Sequence, residues 1–393
     1  MTLKWRSLLL TLVWTRKELR MEVVDIDIPN HAYKVFIDRD VAEKIASFLD
    51  EFAKNQKVLI VTDDFFKDKY ARLIFNSLKT KDLSPYIHVM KGGKSSKSFS
   101  EVLRIYGELE SKDFARDSVL IALGGGVVGD LAGFVASTWY RGMSFVHVPT
   151  TLMAMIDSSI GGKVAINYRE TINAVGNYYH PIVNFMDLHL IDSLGDRDYI
   201  SGLAEVIKCA VIADSNFADY LEEYRERILQ RDEVYLVRTM QRTIEIKVDH
   251  VSNDIREGGK RLLLNYGHTL GHAIEMATQT DNRETFRHGE AVSLGIVAAL
   301  SVAQFYLKTS EVISNKVRAL LQSYKLPVSF SASEFGFERN DLIDSCMRLI
   351  LKDKKRKENQ LRFILVDEIG HAGVHSGISD KFILKAFQQV IKE

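Results

Sequence analysis

Three things are scarce in this chain of 393 residues. It has five prolines, two cysteines and no excess of either charge, with 52 Lys+Arg against 52 Asp+Glu. Two cysteines, Cys209 and Cys346, cannot build a disulfide framework, so a reducing, cytoplasmic compartment is expected. Balanced charge argues against a general nucleic-acid binder, although a local basic pocket remains compatible with it. With so few prolines, the breaks between elements must come from Gly, Asn and Asp. Long hydrophobic runs are missing too. The run from Ser7 to Trp14, flanked by Lys4, Arg6, Arg16 and Lys17, is shorter than the roughly 20 apolar residues a membrane span needs. No small-x-small cleavage site follows it, so residues 1–20 are expected to be a disordered extension rather than an export signal or membrane anchor.

What is present divides into two halves. In the first, β-type runs alternate with helical patterns. Val58-Leu-Ile-Val-Thr62, Ser118-Val-Leu-Ile-Ala-Leu123 and Phe145-Val-His-Val148 read as strands, with a helix over Phe99–Leu109 between two of them. This alternation predicts an α/β domain with a mostly parallel sheet over residues 21–195. In the second half, helical spacing dominates. Tyr199–Ile212, Glu233–Ile255, Tyr266–Ala277 and Glu290–Leu307 are expected helices, and Leu361–Val366 an isolated strand. Residues 196–393 are therefore expected to form a mainly α-helical domain, with the boundary near Leu194-Gly-Asp196.

Two motifs carry chemistry. Gly124, Gly126 and Gly129 fit G-x-G-x-x-G directly after a predicted strand. Small residues let backbone approach a pyrophosphate, and the helix that follows offers free N–H groups. The match is weak alone, since it lies about 100 residues into the domain and lacks the acidic residue about 20 positions on. A tight turn packing helix on strand is the competing reading. Pro149-Thr-Thr151 adds hydroxyls at the end of the next strand. The second motif, Gly267-His-Thr-Leu-Gly-His272, puts His268 and His272 on one helix face, with His288-Gly-Glu290 close behind. Glu205, in Gly202-Leu-Ala-Glu-Val-Ile-Lys208, is a candidate carboxylate ligand from another helix. One carboxylate and two imidazoles suit a catalytic divalent metal that keeps open positions for substrate. A lone histidine is more often a satisfied core residue, but a cluster reverses that preference. Spacing does not decide which histidines bind metal and which handle protons or anions. Lys163, Lys208, Lys247, Arg261 and Lys354-Lys355 could converge on a substrate that carries both phosphate and carboxylate.

The chain resembles the 3-dehydroquinate synthases, within the wider sugar phosphate cyclases, from about Met21 onward. The resemblance rests on Gly124-Gly-Gly-Val-Val-Gly-Asp-Leu-Ala-Gly133, Tyr140-Arg-Gly142, Val148-Pro-Thr-Thr151, Asp157-Ser-Ser-Ile-Gly-Gly-Lys163, Gly202-Leu-Ala-Glu-Val-Ile-Lys208, Arg261-Leu-Leu-Leu-Asn265, Gly267-His-Thr-Leu-Gly-His-Ala-Ile-Glu275, His288-Gly-Glu290 and Asp353-Lys-Lys355. It implies a lyase converting 3-deoxy-arabino-heptulosonate 7-phosphate to 3-dehydroquinate and phosphate. NAD would be used and regenerated in each turnover, and the enzyme would be a homodimer without nucleic-acid or membrane partners. By the same resemblance, Glu205, His268 and His288 hold Zn2+ or Co2+. Lys163, Asn173, His272, Lys354 and Lys355 meet the phosphate, with Arg141 reaching it from a neighbouring subunit. Lys247 and Arg261 hold the carboxylate, while Asp157, Lys208 and Asn265 bracket the ring hydroxyls. Asp63, Lys97, Gly125, Gly126, Val127, Val128, Gly129, Asp130, Thr150 and Thr151 line the NAD site.

The chain departs from the family pattern at three places. Ile172 stands where a lysine is usual, Lys94 replaces a carboxylate expected at the adenosine ribose, and Asn177-Tyr-Tyr replaces a small-aromatic pair. All three imply a divergent NAD pocket. Alternatives of other kinds are a sister cyclase acting on sedoheptulose 7-phosphate or an amino analogue, a polyol dehydrogenase, and a non-catalytic paralogue serving as a binding subunit. The presence of both Lys247 and Arg261 favours a carboxylated substrate.

Overall fold

The structure, a computed structural model, describes residues 21–393 apart from 30, 53–55, 170, 253, 281–283 and 357–360, and gives backbone alone for 353–356. The expected extension 1–20 lies outside the described residues.

Seven strands form one sheet: β1 (Glu22–Ile28), β2 (His31–Asp38), β3 (Lys57–Asp63), β4 (Ser84–Met90), β5 (Val119–Gly124), β6 (Ser144–Pro149) and β9 (Val183–Asp187). Their order is β1-β2-β9-β6-β5-β3-β4. Every pairing is parallel except β1 with β2. The central strands are continuous apolar runs because helices cover both faces. Val58 and Ile60 face one core with Ile45, Leu49, Ile74 and Leu78 of the helices Val41–Phe52 and Arg72–Lys79. Leu59 and Val61 face the other, with Val102, Ile105 and Leu131 of the helices Phe99–Ser111 and Gly126–Thr138. The two-residue period of a strand produces this split.

From β3 the chain steps outward to β4, whereas from β5 it runs the other way through β6 to β9. The carboxyl ends of β3 and β5 therefore flank the topological switch point, where open parallel sheets bind ligands. Asp63 and the glycine turn sit there.

A hairpin that the sequence reading did not foresee, β7 (Lys163–Tyr168) with β8 (Thr171–Tyr178), folds beside the sheet. The helices Asp196–Ala213, Glu233–Ser252, His268–Thr278 and His288–Tyr306 match the periodic segments and share one large core. Ile26, Ile28 and Tyr33 of β1 and β2 reach into that core and tie the sheet edge to it. The predicted late strand is Phe363–Glu368, paired with His371–His375.

Glycine sets how closely these helices cross. A methyl group on Gly289 would lie 1.8 Å from the Ser201 carbonyl oxygen, and one on Gly295 would lie 1.9 Å from that of Gly267. Backbone contact at these two points brings the helices carrying Glu205, His268 and His288 together.

Candidate metal and nucleotide cleft

Glu205 is 1% exposed, on the helix Asp196–Ala213. Its Oε1 makes no hydrogen bond among the described residues. That oxygen lies 3.5 Å from His268 Nε2 and 3.8 Å from His288 Nε2. Ligand atoms about 2.1 Å from a tetrahedral zinc are about 3.4 Å apart, so these three groups fit one ion. The other ring nitrogens are held as metal-binding imidazoles require. His268 Nδ1 lies 3.1 Å from the Tyr266 carbonyl oxygen, and His288 Nδ1 lies 3.3 Å from Glu275 Oε2. Each partner accepts the Nδ1 proton and leaves the Nε2 lone pair aimed at Glu205. Burial, then Lys208 and the neighbouring imidazoles, hold the His268 pKa well below the ordinary value.

His272 joins the same cluster, since it offers a nitrogen within 4.8 Å of those of His268 and His288. Burial, then His288, lowers its pKa to about 4. It has no hydrogen-bonded partner fixing its tautomer among the described residues. This difference separates it from the other two and leaves it free to act on a ligand.

A buried charge cluster borders the imidazoles. Lys208 pairs with Glu205 one helical turn away. Lys247 Nζ donates to Asp157 Oδ1 and to the Asp157 carbonyl oxygen, both at 2.5 Å. Burial alone would raise the Asp157 pKa, but Lys247 and Lys208 hold it well below the usual carboxylate range. Burial works against the Lys208 charge, yet Glu205 and Asp157 hold its pKa above the ordinary lysine value. For Lys247 burial wins and the pKa falls.

Arg261 is 2% exposed; its guanidinium donates to the carbonyl oxygens of Gly161 and Ile255 and stacks over Tyr178. Lys163 and Asn265 both bond Glu257, at 2.7 and 2.8 Å. Sequence reading missed Glu257. Its backbone has φ +62°, in the left-handed region, so the loop holds this carboxylate against a conformational cost. It lies four residues before Arg261 in a polar loop, and no pattern marked it.

At the switch point, the glycine turn runs into the helix Gly126–Thr138. Asp63 accepts from the amides of Phe65 and Phe66, and burial raises its pKa. Gly125 faces Thr151, Gly126 faces Ser158, Val128 packs on Gly124, and Gly129 lies flat on His147. A methyl group on Gly129 would lie 2.3 Å from His147 Nε2, so only glycine fits there. Val127 is half-buried at the start of this helix. Thr150 donates its amide to Gly124, and its hydroxyl, like those of Thr62 and Ser158, lacks a partner among the described residues. Unpaired hydroxyls and helix N–H groups around a glycine turn suit a phosphate-rich cofactor.

Lys97 is buried and bonds Asp130 of the glycine-turn helix at 2.5 Å. It also bonds Asn173. Asn173, expected among the phosphate residues, has its side-chain oxygen on Lys97, which also bonds the glycine-turn helix. Its backbone, at φ +54°, and the β7–β8 hairpin turn it there. Ile172, beside it, is exposed. Arg141 is exposed in a strained turn with Tyr140 and Arg141 both at positive φ, and it has no ion-pair partner among the described residues. The side chains of Lys354 and Lys355 lie outside the described residues.

The chain is similar to known proteins. Residues 87–201 match the family profile 3-dehydroquinate synthase N-terminal, and residues 202–356 match 3-dehydroquinate synthase C-terminal. A 3-dehydroquinate synthase of Thermodesulfovibrio yellowstonii is 36% identical over 371 residues, covering 94% of this chain and 100% of that one. That of Desulforamulus reducens is 36% identical over 369 residues, covering 94% and 100%. Among solved structures, 2-deoxy-scyllo-inosose synthase complexed with carbaglucose-6-phosphate, NAD+ and Co2+ superimposes with a TM-score of 0.81, at 23% identity over 94% of this chain and 100% of that one. The 2-epi-5-epi-valiolone synthase of Streptomyces hygroscopicus subsp. jinggangensis, with NAD+ and Zn2+ bound, gives 0.80 at 23% identity, covering 96% and 99%.

Proposed function

The chain belongs to the 3-dehydroquinate synthase family, and from that premise we propose that it is a cytoplasmic, homodimeric carbon–oxygen lyase converting 3-deoxy-arabino-heptulosonate 7-phosphate to 3-dehydroquinate and phosphate. Residues 21–195 carry the NAD site, and residues 196–393 carry the metal and most of the substrate contacts. The observation that carries this reading is buried Glu205 facing the half-buried His268 and His288, with their outer ring nitrogens held and a cation-lined cleft beside them.

Glu205, His268 and His288 would hold Zn2+ or Co2+, which bound there polarises vicinal hydroxyls and lowers their pKa. Asp63, Lys97, Asp130, Thr150, Thr151 and the turn from Gly125 to Gly129 would hold NAD, which supplies a reversible hydride acceptor. The chain's own residues do the rest. Lys247 and Arg261 bind the substrate carboxylate. Asp157, Lys208 and Asn265 orient the ring hydroxyls around the oxidised carbon. Lys163 and His272 take the phosphate, joined by Arg141 of a second subunit, Lys354 and Lys355. His272 stays neutral near pH 7, so it can accept a hydrogen bond or a proton rather than add charge. The departing phosphate would itself take the proton from the neighbouring carbon.

The test is phosphate release from the heptulosonate phosphate, with and without NAD and a chelator. Release should need both NAD and metal, leave no net reduced nicotinamide, and vanish in His268→Ala. Equal release by His268→Ala refutes the metal assignment. Accumulating reduced nicotinamide indicates a dehydrogenase instead. Faster turnover of sedoheptulose 7-phosphate indicates a sister cyclase.

A further inference from the structure

Lys94 lies on the single 3-10 turn Lys94–Ser96 that follows β4 on the sheet side. Its ammonium reaches Glu275 Oε1 at 2.7 Å and Glu284 Oε1 at 2.8 Å. Glu275 belongs to the helix that carries His268 and His272. Its second oxygen is the one that faces His288 Nδ1 at 3.3 Å. Glu284 also pairs with Arg287, the residue before His288, and Arg287 Nε reaches Asp198 at 2.9 Å on the Glu205 helix. Three residues beyond Lys94, Lys97 bonds Asp130 of the glycine-turn helix. One short turn therefore grips the nucleotide half with one lysine and the metal half with the other.

We propose that Lys94 is a positioning residue for the metal centre. It acts through Glu275, and the proposal rests on the metal reading above. Glutamate has three side-chain torsions and would lose its aim on His288 if its only bond were a 3.3 Å contact. The charge-assisted bond from Lys94 is shorter and stronger, and it fixes the carboxylate from the opposite side. With Glu275 fixed, the His288 Nδ1–H keeps its acceptor and Nε2 stays turned toward Glu205. Lysine at this position thus has a task in the metal site, separate from any at a nucleotide ribose.

The proposal fixes the sign of an effect. A lysine that is merely near a metal dication repels it, so its removal would tighten metal binding. A lysine that aims a ligand does the reverse. The experiment uses the full chain, freed of metal by chelation and titrated with Co2+ while the visible ligand-field absorption is recorded, with Zn2+ added in competition. Lys94→Met should weaken Co2+ binding about 5- to 10-fold and alter the absorption band. Glu275→Gln, one step closer, should weaken it about 10- to 100-fold. Lys94→Arg, which keeps the charge and the reach, should restore most of the affinity and the wild-type band. Binding by Lys94→Met as tight as wild type, or tighter, overturns the proposal. Failure of the wild-type chain to take up one equivalent of Co2+ would instead overturn the metal reading beneath it.

Discussion

Replacing Gly289 with alanine tests how the metal site is built. The added methyl group would lie 1.8 Å from the Ser201 carbonyl oxygen and 2.8 Å from the Ser201 hydroxyl oxygen. Carbon–oxygen contacts under 3.0 Å are essentially never seen, so the two helices must part by about 1.2 Å. His288 is the preceding residue, and its Nε2 now stands 3.8 Å from Glu205 Oε1. The same displacement would open that gap to about 5 Å. Two ligands at about 2.0–2.2 Å from one zinc cannot be more than about 4.4 Å apart. Gly289→Ala should therefore lose zinc affinity by more than about 100-fold, beyond the usual cost of disturbing an outer partner. Overpacking should also lower apoprotein stability by about 1–3 kcal/mol. Zinc content after equilibrium dialysis, read beside the thermal midpoint of the apoprotein, separates the two effects. A Gly289→Ala protein that retains one tightly bound zinc would show that helix spacing does not set the site, and the reasoning fails.

Other outcomes follow from the same structure. Gly107→Ala should raise stability by about 0.5–1 kcal/mol in denaturant unfolding, because this exposed glycine sits in a helix with open space around it. His147 is buried, and burial lowers its pKa to about 3, against an ordinary value of 6.5. The unfolded chain therefore takes up a proton below pH 6.5 that the folded one refuses until about pH 3. Stability should fall as pH drops through that window, by about 2 kcal/mol at pH 5, and His147→Gln should remove this part of the slope in unfolding curves recorded from pH 7 to 5. Lys247→Ala leaves Asp157 with less cationic support and should raise KM for the heptulosonate phosphate more than for a carboxylate-free analogue. Equal effects on the two substrates would take Lys247 away from the carboxylate.

The strongly periodic parts of the chain were legible. The buried strands β3, β5 and β6 and the long helices fall within a few residues of their expected positions, since uninterrupted apolar runs and helical spacing report burial directly. Glu205, His268 and His288 were singled out as candidates by residue type and by the family resemblance, and the structure sets Glu205 Oε1 3.5 and 3.8 Å from the two imidazoles. The β7–β8 hairpin was not legible. Its outer strand is mostly exposed, so it lacks the alternation that betrays a half-buried strand, and the bond from Lys97 to Asn173 could not be foreseen. Glu257 and Lys94 were illegible for another reason. Their roles arise from contacts with residues far away in the chain, Lys163 for one and Glu275 for the other, and no local pattern records such partners.

The clamp of Glu257 on Lys163 and Asn265 has a consequence for how ligands enter. The resting cleft is already neutralised from within, by a carboxylate on a strained loop. An incoming dianion therefore does not fall into a bare electropositive well; it must trade places with an internal counter-ion. Small anions that can touch only one of these groups should gain little from the exchange, whereas a ligand long enough to engage Lys163 and Arg261 together can release the loop.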